Sequence, residues 1–536
     1  MDLIVCADTV HTLGAGPDGP DAPTAVGVRG GLIAAVGSRD EVLASRTADT
    51  RVIELGAGTL VPGLIDAHSH PVSGALITRG ADLTGLDLDG VRDALGAVAR
   101  ELPDDAWVLA WGLDPNIVPD GRLAASHVDD VLGGRPALVR LFDAHSALAS
   151  SVALERAGVT GPRSFDQSAE IVCDADGRPT GLLSEPAAIA VVEDVLPAAD
   201  LDELGEAVLE VLQRMAAQGL TELHAMEHMP YAGAVLTRLE ERGDLPVRVR
   251  CSPWVTPGTT EADWAEILDQ QGVGGRRWVV RGVKMFMDGT IDNGTAWLES
   301  PDTLGESLRP FWPDPAHFVE ALQWFDGHGV PTATHAIGDQ AVRHVLEALR
   351  SSSSGVRHRI EHIETIPDDI LPMFAELSVG ASMQPTHCTE YTKPDASDNW
   401  SRRLGPERTA HGWRINDLRA AGAHVALGSD WPIADSDPRG ILSSARLRRR
   451  GGAPEQVPIH PEQAISALKA LEGYTSHAAW SVDEDRIGGT IEVGKRADLT
   501  AFAGDPLTVS ADELAATAVL ATVVDGTVSH LDASVA

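Results

Sequence analysis

The middle of the chain alternates between two kinds of segment. Short apolar stretches such as LTELHAME (220–227) and PTATHAIGD (331–339) are separated by Ala- and Leu-rich stretches such as DELGEAVLEVLQRMAAQG (202–219). Strands that alternate with helices indicate βα units and a parallel sheet. This alternation constrains the fold most strongly, because it predicts an α/β protein whose strand ends share one face.

A (β/α)8 barrel requires eight strands, and the sequence offers nine candidates. They are GLIDAHSH, ALVRLFDAHS, LTELHAME, VRVRCSPWV, RGVKMFMDG, PTATHAIGD, HRIEHIE, VGASMQPT and HVALGSDWP. The long gap between the first and third candidates places ALVRLFDAHS (137–146) in an insertion of about residues 72–200. The sequence therefore predicts a (β/α)8 TIM barrel over residues 61–487 with this insertion inside it.

The two ends of the chain resemble each other in pattern. LIVCADTV (3–10) near the start and GTIEVGKRADLTAFAGDP (489–506) near the finish are short alternating strands with Gly and Asp turns. This pattern is typical of a β-sandwich. We expect residues 1–60 and 488–536 to form one small β-sandwich assembled from both termini.

The charge balance restricts the partners of the protein. Lys and Arg number 42 against 79 Asp and Glu, which gives a formal net charge of −37. Such a surface repels phosphate backbones and anionic lipids, so we expect a small-molecule substrate rather than nucleic acid or a membrane.

Cysteine usage and the N-terminus bear on the compartment. The four cysteines lie far apart and form no CxxC pair, which fits a reducing cytoplasm. MDLIVCADTV has no basic segment and no long apolar run, and reads as a strand rather than a signal peptide. No stretch is long enough to span a membrane, so the sequence predicts a cytoplasmic protein.

Residues that can bind a metal lie at or near the ends of successive predicted strands. They are His68, His70, Lys284, His335, His362 and Asp430. In a (β/α)8 barrel the active site forms from several strand ends at one face, so these side chains would converge on one point. The pattern predicts a metal site.

Each of these signals is weak by itself. With 19 histidines in the chain, about one HxH is expected by chance, and an Asp in GSD is usually a turn residue or helix cap. Lys284 lies between apolar residues, so it either extends outward or is buried and converted by carbon dioxide into a carbamate. Taken jointly, in order and on separate strands, the six residues favour metal binding.

The motifs around these residues carry a family resemblance. They are VPGLIDAHSHP, GVKMFMDGTIDNGTAWL, THAIGDQAV, RIEHIE, SMQPTH, ALGSDWPI and GTIEVGKRADLTAF. The sequence resembles the amidohydrolase superfamily and, within it, amidohydrolase family 3, which includes N-substituted formamide deformylases. The resemblance implies a distorted (β/α)8 barrel with a β-sandwich built from both chain ends.

The resemblance also implies roles for the six residues. His68 and His70 would bind the more buried of two divalent metals, and His335 and His362 the second. A carbamate on Lys284 would bridge them, and Asp430 would contact the buried metal and act as the catalytic proton shuttle. Nitrogen and oxygen ligands suit zinc, with manganese, iron or nickel as alternatives.

The implied reaction is hydrolysis of a non-peptide C–N bond in a small amide, formamide, cyclic amide or carbamate. A metal-dependent isomerase, lyase or decarboxylase on the same scaffold is an alternative, because a fold does not determine a reaction. A non-catalytic regulatory protein is a third; it would be expected to have lost ligands, and none is missing.

Other residues are candidates for contact with the substrate. They are His145 in an FDAHS motif, His224, Asp288, Arg309, which could hold a substrate carboxylate, and Trp111, which could form an apolar wall. For each of them, a structural role in packing, pairing or capping is the alternative. We expect Asp66 to support the ligands from behind, and family habit suggests a homodimer.

Overall fold

Two parallel sheets occupy the middle of the chain in this computed structural model, which describes residues 1–14, 22–118, 122–165, 167, 169–197 and 200–535. The four-stranded sheet has the order Trp278–Val280, Arg248–Cys251, Leu220–Ala225 and Leu64–Ser69. The six-stranded sheet has the order Trp254–Val255, Val283–Phe286, Thr332–Ala336, Arg359–His362, Gly380–Met383 and Val425–Leu427. Every neighbouring pair within both sheets is parallel, so the α/β class is confirmed.

The two sheets are joined through the backbone. Arg248–Cys251 leads directly into Trp254–Val255, and Trp278–Val280 leads into Val283–Phe286, so two segments each contribute to both sheets. At the other edges, the amide of Asp430 donates to the carbonyl of His68 at 2.7 Å, and the amide of His70 to that of Trp431 at 2.8 Å. The first strand is therefore hydrogen-bonded to the segment that follows the last.

The sequence explains why these segments form strands and helices. Leu220–Ala225 is buried at every position, as expected for a parallel strand covered on both faces. The preceding helix, Leu201–Ala217, begins after Asp200, whose side chain accepts from the amides of Asp202 and Glu203. Apolar residues on one face of that helix join the large central core.

Helices follow the parallel strands in nearly every connection. They are Pro71–Ile77, Leu201–Ala217, Ala232–Glu241, Glu261–Asp269, Pro315–Gly327, Asp339–Leu349, Leu371–Glu376, Pro385–Tyr391, Asn399–Leu404, Pro406–Thr409, Ile415–Ala420, Pro438–Leu447, Ala467–Gly473 and Ser476–Trp480, with a 3-10 turn at Pro461–Gln463. None of the helices in the described ranges is both long and apolar enough to cross a membrane.

A separate six-stranded sheet lies between the first two parallel strands in sequence. Its order is Glu170–Cys173, Pro179–Ser184, Ser146–Ala149, Ala137–Leu141, Val108–Leu113 and Ala81–Asp82. Its helices are Leu88–Glu101, Ser151–Arg156 and Pro186–Glu193, with 3-10 turns at Pro115–Ile117, Ala125–His127 and Asp129–Val131. ALVRLFDAHS, the strand candidate assigned to the insertion, thus belongs to this sheet and not to the two parallel sheets. We call it the insertion sheet.

Strands from both chain ends form two further sheets. The first is Leu32–Gly37, Ala25–Arg29, Leu3–Cys6 and Arg51–Glu54, with the helix Arg39–Leu43 beside it. The second is Thr9–Val10, Thr59–Pro62, Leu499–Phe502, Val519–Val524 and Thr527–Leu531, with the helix Ala511–Leu514 before its last two strands. Side chains of both sheets, including Leu3, Val5, Leu499 and Ala521, share one apolar cluster.

Candidate metal centre and active site

Three of the predicted ligands converge at the ends of the first, sixth and last parallel segments. His68, His362 and Asp430 are buried and offer ligand atoms that all lie within 4.8 Å of one another. Asp430 Oδ1 is 3.4 Å from His68 Nε2 and 3.2 Å from His70 Nε2. These four side chains form one part of the candidate metal centre.

Lys284 and His335 complete the cluster. The rings of His335 and His362 are 4.5 Å apart between centroids. Lys284 is 1% exposed, its Nζ lies 5.2 Å from the centre of the Phe286 ring, and no ion pair joins it to any carboxylate within the described ranges. Burial lowers the pKa of Lys284 to about 8. A larger fraction of the Lys284 side chains is therefore uncharged at neutral pH, and the uncharged amine is the form that can react with carbon dioxide.

One ring nitrogen of each of three ligand histidines is already occupied. Nδ1 of His68 is 2.5 Å from Glu361 Oε2, Nδ1 of His362 is 3.0 Å from Gln384 Oε1, and Nε2 of His335 is 3.0 Å from the carbonyl of Gly289. Such acceptors fix the tautomer and leave the second nitrogen with a lone pair for a metal.

The free nitrogens fit a metal rather than a proton. His68 Nε2 is buried and has no hydrogen-bond partner among the described residues. Burial lowers the pKa of His68, His335 and His362 well below the ordinary value, so the three imidazoles are neutral. Neutral imidazole is the form that binds metal, and an orphaned buried nitrogen is otherwise costly.

Asp430 is held in place by the first strand. Burial by itself would raise the pKa of Asp430, but His68 and His70 lower it below the ordinary value, so the carboxylate is ionised. Asp66 Oδ1 accepts from the amides of His68 and Ser429, at 3.1 and 3.0 Å, and its Oδ2 accepts from Ser429 Oγ at 2.6 Å. Asp66 thus ties together the two segments that carry His68 and Asp430.

A cavity of about 360 Å³ opens above the cluster. Its floor contains all six predicted ligands, and the insertion supplies much of one wall. Insertion residues along it are Leu76, Ile77, Arg140, Phe142, Asp143, Ala144, His145, Pro186, Ala190 and Glu193, which we call the insertion wall. Further apolar residues around the cavity are Met229, Tyr231, Trp254, Phe286, Ile337, Tyr391, Trp400, Trp413, Pro432 and Ile433.

His145 lies where a substrate-contact residue is expected. It belongs to the insertion wall, its ring centroid is 5.4 Å from that of His335, and its Nδ1 is 2.9 Å from Glu185 Oε2. Burial by itself would lower the pKa of His145, but Glu185 and Asp143 raise it to about 9. Ala144 before it adopts a φ of 56°, in the left-handed region.

The other four predicted contact residues do not line this cavity in the described structure. His224 is buried with its Nδ1 3.0 Å from Arg359 Nη1 and its Nε2 3.5 Å from Glu222. Trp111 is buried inside the strand Val108–Leu113 of the insertion sheet. Their placement does not support substrate contact. A position in a strand does not by itself show which way a side chain points.

Asp288 and Arg309 do not line the cavity either. The carboxylate of Asp288 accepts from the amides of Ile337, Gly338 and Trp297 at 2.8–2.9 Å, so it braces the backbone after the strand that carries His335. Arg309 is exposed on a loop. Neither placement supports the expected substrate contact, which stays a prediction for both residues.

Several residues that support the site were not predicted. Glu361 and Gln384 bind ligand histidines, Glu185 binds His145, and Glu227 binds the amides of Val72 and Ser73 at 2.8 and 2.9 Å. The available signal was a polar side chain inside or just after a buried strand, which requires a partner. Sequence order does not reveal that partner.

Comparison with known proteins decides the family. A family model described as the amidohydrolase family matches residues 51–530. The chain belongs to the amidohydrolase family. The resemblance drawn from the strand-end motifs is thereby confirmed.

Individual relatives of this amidohydrolase are distant in sequence. It is 27% identical to Protein LONG AFTER FAR-RED 3 of Arabidopsis thaliana, over 98% of this chain and 91% of that protein. It is 25% identical to an N-substituted formamide deformylase of Arthrobacter pascens, over 99% of this chain and 98% of that protein. A metal-dependent hydrolase from Pyrococcus horikoshii has a similar fold, with a TM-score of 0.73 and 20% identity. The match covers 95% of this chain and 99% of that protein.

Proposed function

We propose that this amidohydrolase is a binuclear zinc hydrolase that cleaves a non-peptide C–N bond in a small amide, formamide, cyclic amide or carbamate. The observation that carries the proposal is the cluster of four histidines, one lysine and one aspartate on the cavity floor, all of them buried except the half-buried His70. The relationship to an N-substituted formamide deformylase supports the choice of bond.

The ligand set divides into two groups. His68, His70 and Asp430 would hold one ion, His335 and His362 the other, and Lys284, carboxylated at Nζ, would bridge them. Imidazole nitrogens and carboxylate oxygens suit zinc, and the occupied second nitrogens of three histidines fit this role. Lys284 is buried without an ion pair in the described structure, as a lysine awaiting modification would be.

We propose further that the two parallel sheets form one distorted (β/α)8 barrel and the two terminal sheets one β-sandwich. The segments shared between the parallel sheets support the first statement, as do the two backbone hydrogen bonds that join His68 and His70 to Asp430 and Trp431. The apolar cluster common to the terminal sheets supports the second. The homodimer and the cytoplasmic location stay predictions from the sequence.

The mechanism places proton transfer on Asp430. Two bound divalent ions would lower the pKa of water and polarise the substrate carbonyl oxygen. The Asp430 carboxylate, ionised at neutral pH, accepts a proton from the attacking water and delivers it to the leaving nitrogen as the C–N bond breaks. An amide or formamide gives a carboxylic acid and an amine, which stay in one molecule when the amide is cyclic. A carbamate ester gives an amine, carbon dioxide and an alcohol.

The cavity sets the size and polarity of the substrate. A volume of about 360 Å³ accommodates a small molecule, and most of the wall is apolar or aromatic. Arg140, the arginine that lines it, is paired with Glu193. A neutral amide with an apolar or aromatic N-substituent therefore fits this cavity better than a carboxylate-bearing one.

Metal analysis and an amine-release screen test the proposal. We expect about two equivalents of zinc per chain, and amine release from N-benzylformamide, formanilide or a simple carbamate. Asp430→Asn should keep its metal and lose roughly 10²- to 10⁴-fold in kcat. Lys284→Ala should lose metal. Turnover near wild type in Asp430→Asn, or full metal in Lys284→Ala, would contradict the assigned roles.

A further inference from the structure

The motif SMQPTH (382–387) reaches the site with two side chains. Its first residues end the strand Gly380–Met383, and Pro385 starts the helix Pro385–Tyr391 directly afterwards. Gln384, between the two, binds the ligand His362. His387 follows within the first turn of the helix and lines the cavity, so one short motif supplies two polar groups to the centre.

His387 is buried with an unused nitrogen. The residue is 7% exposed, and its Nε2 has no hydrogen-bond partner in the part of the chain that the structure describes. Its ring stacks on that of His362 at 6.1 Å and 11°, and meets Tyr391 edge-on at 5.9 Å. A buried polar atom without a partner destabilises the folded protein, so a fixed ring with a free nitrogen indicates a function.

The unused nitrogen faces the proton shuttle. The two oxygens of Asp430 differ in their surroundings: Oδ1 lies near His68 and His70, at 3.4 and 3.2 Å, whereas Oδ2 lies 3.7 Å from His387 Nε2. His362 Nδ1 is 3.9 Å from the same Oδ2 but already pairs with Gln384. His387 therefore offers Oδ2 a nitrogen that is not already paired.

We propose that His387 is a positioning residue that acts through Asp430. Its Nε2–H donates to Oδ2 and orients that oxygen, which takes the proton of the attacking water and passes it to the leaving nitrogen. His387 keeps its own proton throughout. The two atoms are 3.7 Å apart, and catalytic hydrogen bonds are often long in a structure without substrate. The catalytic consequence rests on the proposed hydrolase function; the contact between His387 and Asp430 does not.

The contact is tested without turnover. In metal-loaded protein labelled with [¹⁵N]histidine, the Nε2 resonance of His387 is assigned by its loss in His387→Gln. We expect Asp430→Asn to shift this resonance. His344 is the control, because its Nε2 is also buried and unpartnered in the described structure, yet its ring packs against Trp297 and Phe318 outside the cavity. An unmoved His387 resonance would overturn the proposal.

The role is tested with a series of leaving groups. Protonation of the leaving nitrogen matters most for a basic amine, so His387→Gln should lower kcat on N-benzylformamide by roughly 10- to 100-fold. On p-nitroformanilide, whose amine leaves readily, the loss should be below about threefold, with KM little changed. Metal content should equal that of wild type.

The outcomes separate the two proposals. An equal loss of kcat across the series, a change confined to KM, or a loss of metal in His387→Gln would refute the positioning role. His344→Gln should keep wild-type kinetics on both substrates. If wild-type protein releases no amine from any substrate, the hydrolase proposal fails, while the resonance of His387 still decides whether its Nε2 contacts Asp430.

Discussion

The floor of the cavity and the insertion wall differ in how their polar groups are held. On the floor, His68, His335 and His362 each have one nitrogen fixed by an acceptor, and buried Asp66 braces the backbone beneath. Most of the insertion wall is apolar, and its polar groups are paired with other side chains of the protein, as His145 is with Glu185.

This difference indicates that the floor carries the chemistry and that the wall selects the substrate. A floor whose nitrogens are preset can bind metal with little reorganisation, and preorganised groups of this kind supply most of the rate of an enzyme. A largely apolar wall contributes shape and desolvation, which decide what enters. Substitutions in the floor should therefore change metal affinity and kcat, whereas those in the wall should change substrate preference.

Among the substitutions that test the division between floor and wall, Glu361→Gln should have the largest effect, a loss of metal affinity. The substitution weakens the acceptor for His68 Nδ1 and removes the charge that pairs with Arg359 at 2.8 Å. Loss of such a carboxylate partner typically lowers metal affinity by 10- to 100-fold. Competition with a chelator, followed by zinc analysis, measures the change.

Glu484→Gln provides the matched control for Glu361→Gln. Glu484 is also a buried acid paired with arginines, Arg250 and Arg496, but it lies off the cavity. We expect the metal affinity of the Glu484→Gln variant to match that of the wild-type protein. Equal losses in the two variants would mean that the floor responds to general destabilisation and not to the partner of His68.

The floor was largely predictable because its ligands are tied to strand ends. The alternation of strands and helices predicts parallel strands whose ends share one face, and His68, Lys284, His335 and Asp430 do line one cavity there. Their partners were not predictable, because Glu361 lies in the strand of one ligand and binds another ligand far away in sequence.

The insertion wall was predicted only through the FDAHS motif. His224 lies in a strand, as expected, and Trp111 lies in a strand that was not predicted. Strand position does not fix whether a side chain meets the cavity, the core or a neighbouring arginine. Arg309 lies on a loop, where sequence patterns give no direction at all. The sequence therefore did not show which of these side chains line the cavity, because long-range packing rather than local periodicity places them.

A smaller effect is expected from His145→Gln in the insertion wall. The change removes the group that faces the cavity beside His335 but leaves all six floor residues in place. We expect unchanged zinc content and a loss of about tenfold in kcat/KM, the scale of one polar contact to a neutral substrate. Steady-state kinetics on N-benzylformamide measure it.

His127→Gln is the control for that variant, because His127 lies in the same insertion and bonds locally to Ala124. It should retain wild-type kinetics. Loss of zinc in His145→Gln would contradict the division between floor and wall, since it would show that the insertion helps to hold metal.

The smallest effect is expected from Ala144→Gly, which changes the backbone of the insertion wall and no polar group. Ala144 has a φ of 56°, a conformation that costs an alanine roughly 1–2 kcal/mol and a glycine little. Part of this gain is offset, because glycine has more freedom in the unfolded chain, by roughly 0.4–1 kcal/mol. We expect a net rise of at most about 1 kcal/mol in the free energy of unfolding and a slightly higher apparent Tm.

Ala147→Gly, the same change at a buried strand position without positive φ, should lower the Tm instead. Shifts of the same sign in both variants would show that the strain at Ala144 does not limit the stability of the wall.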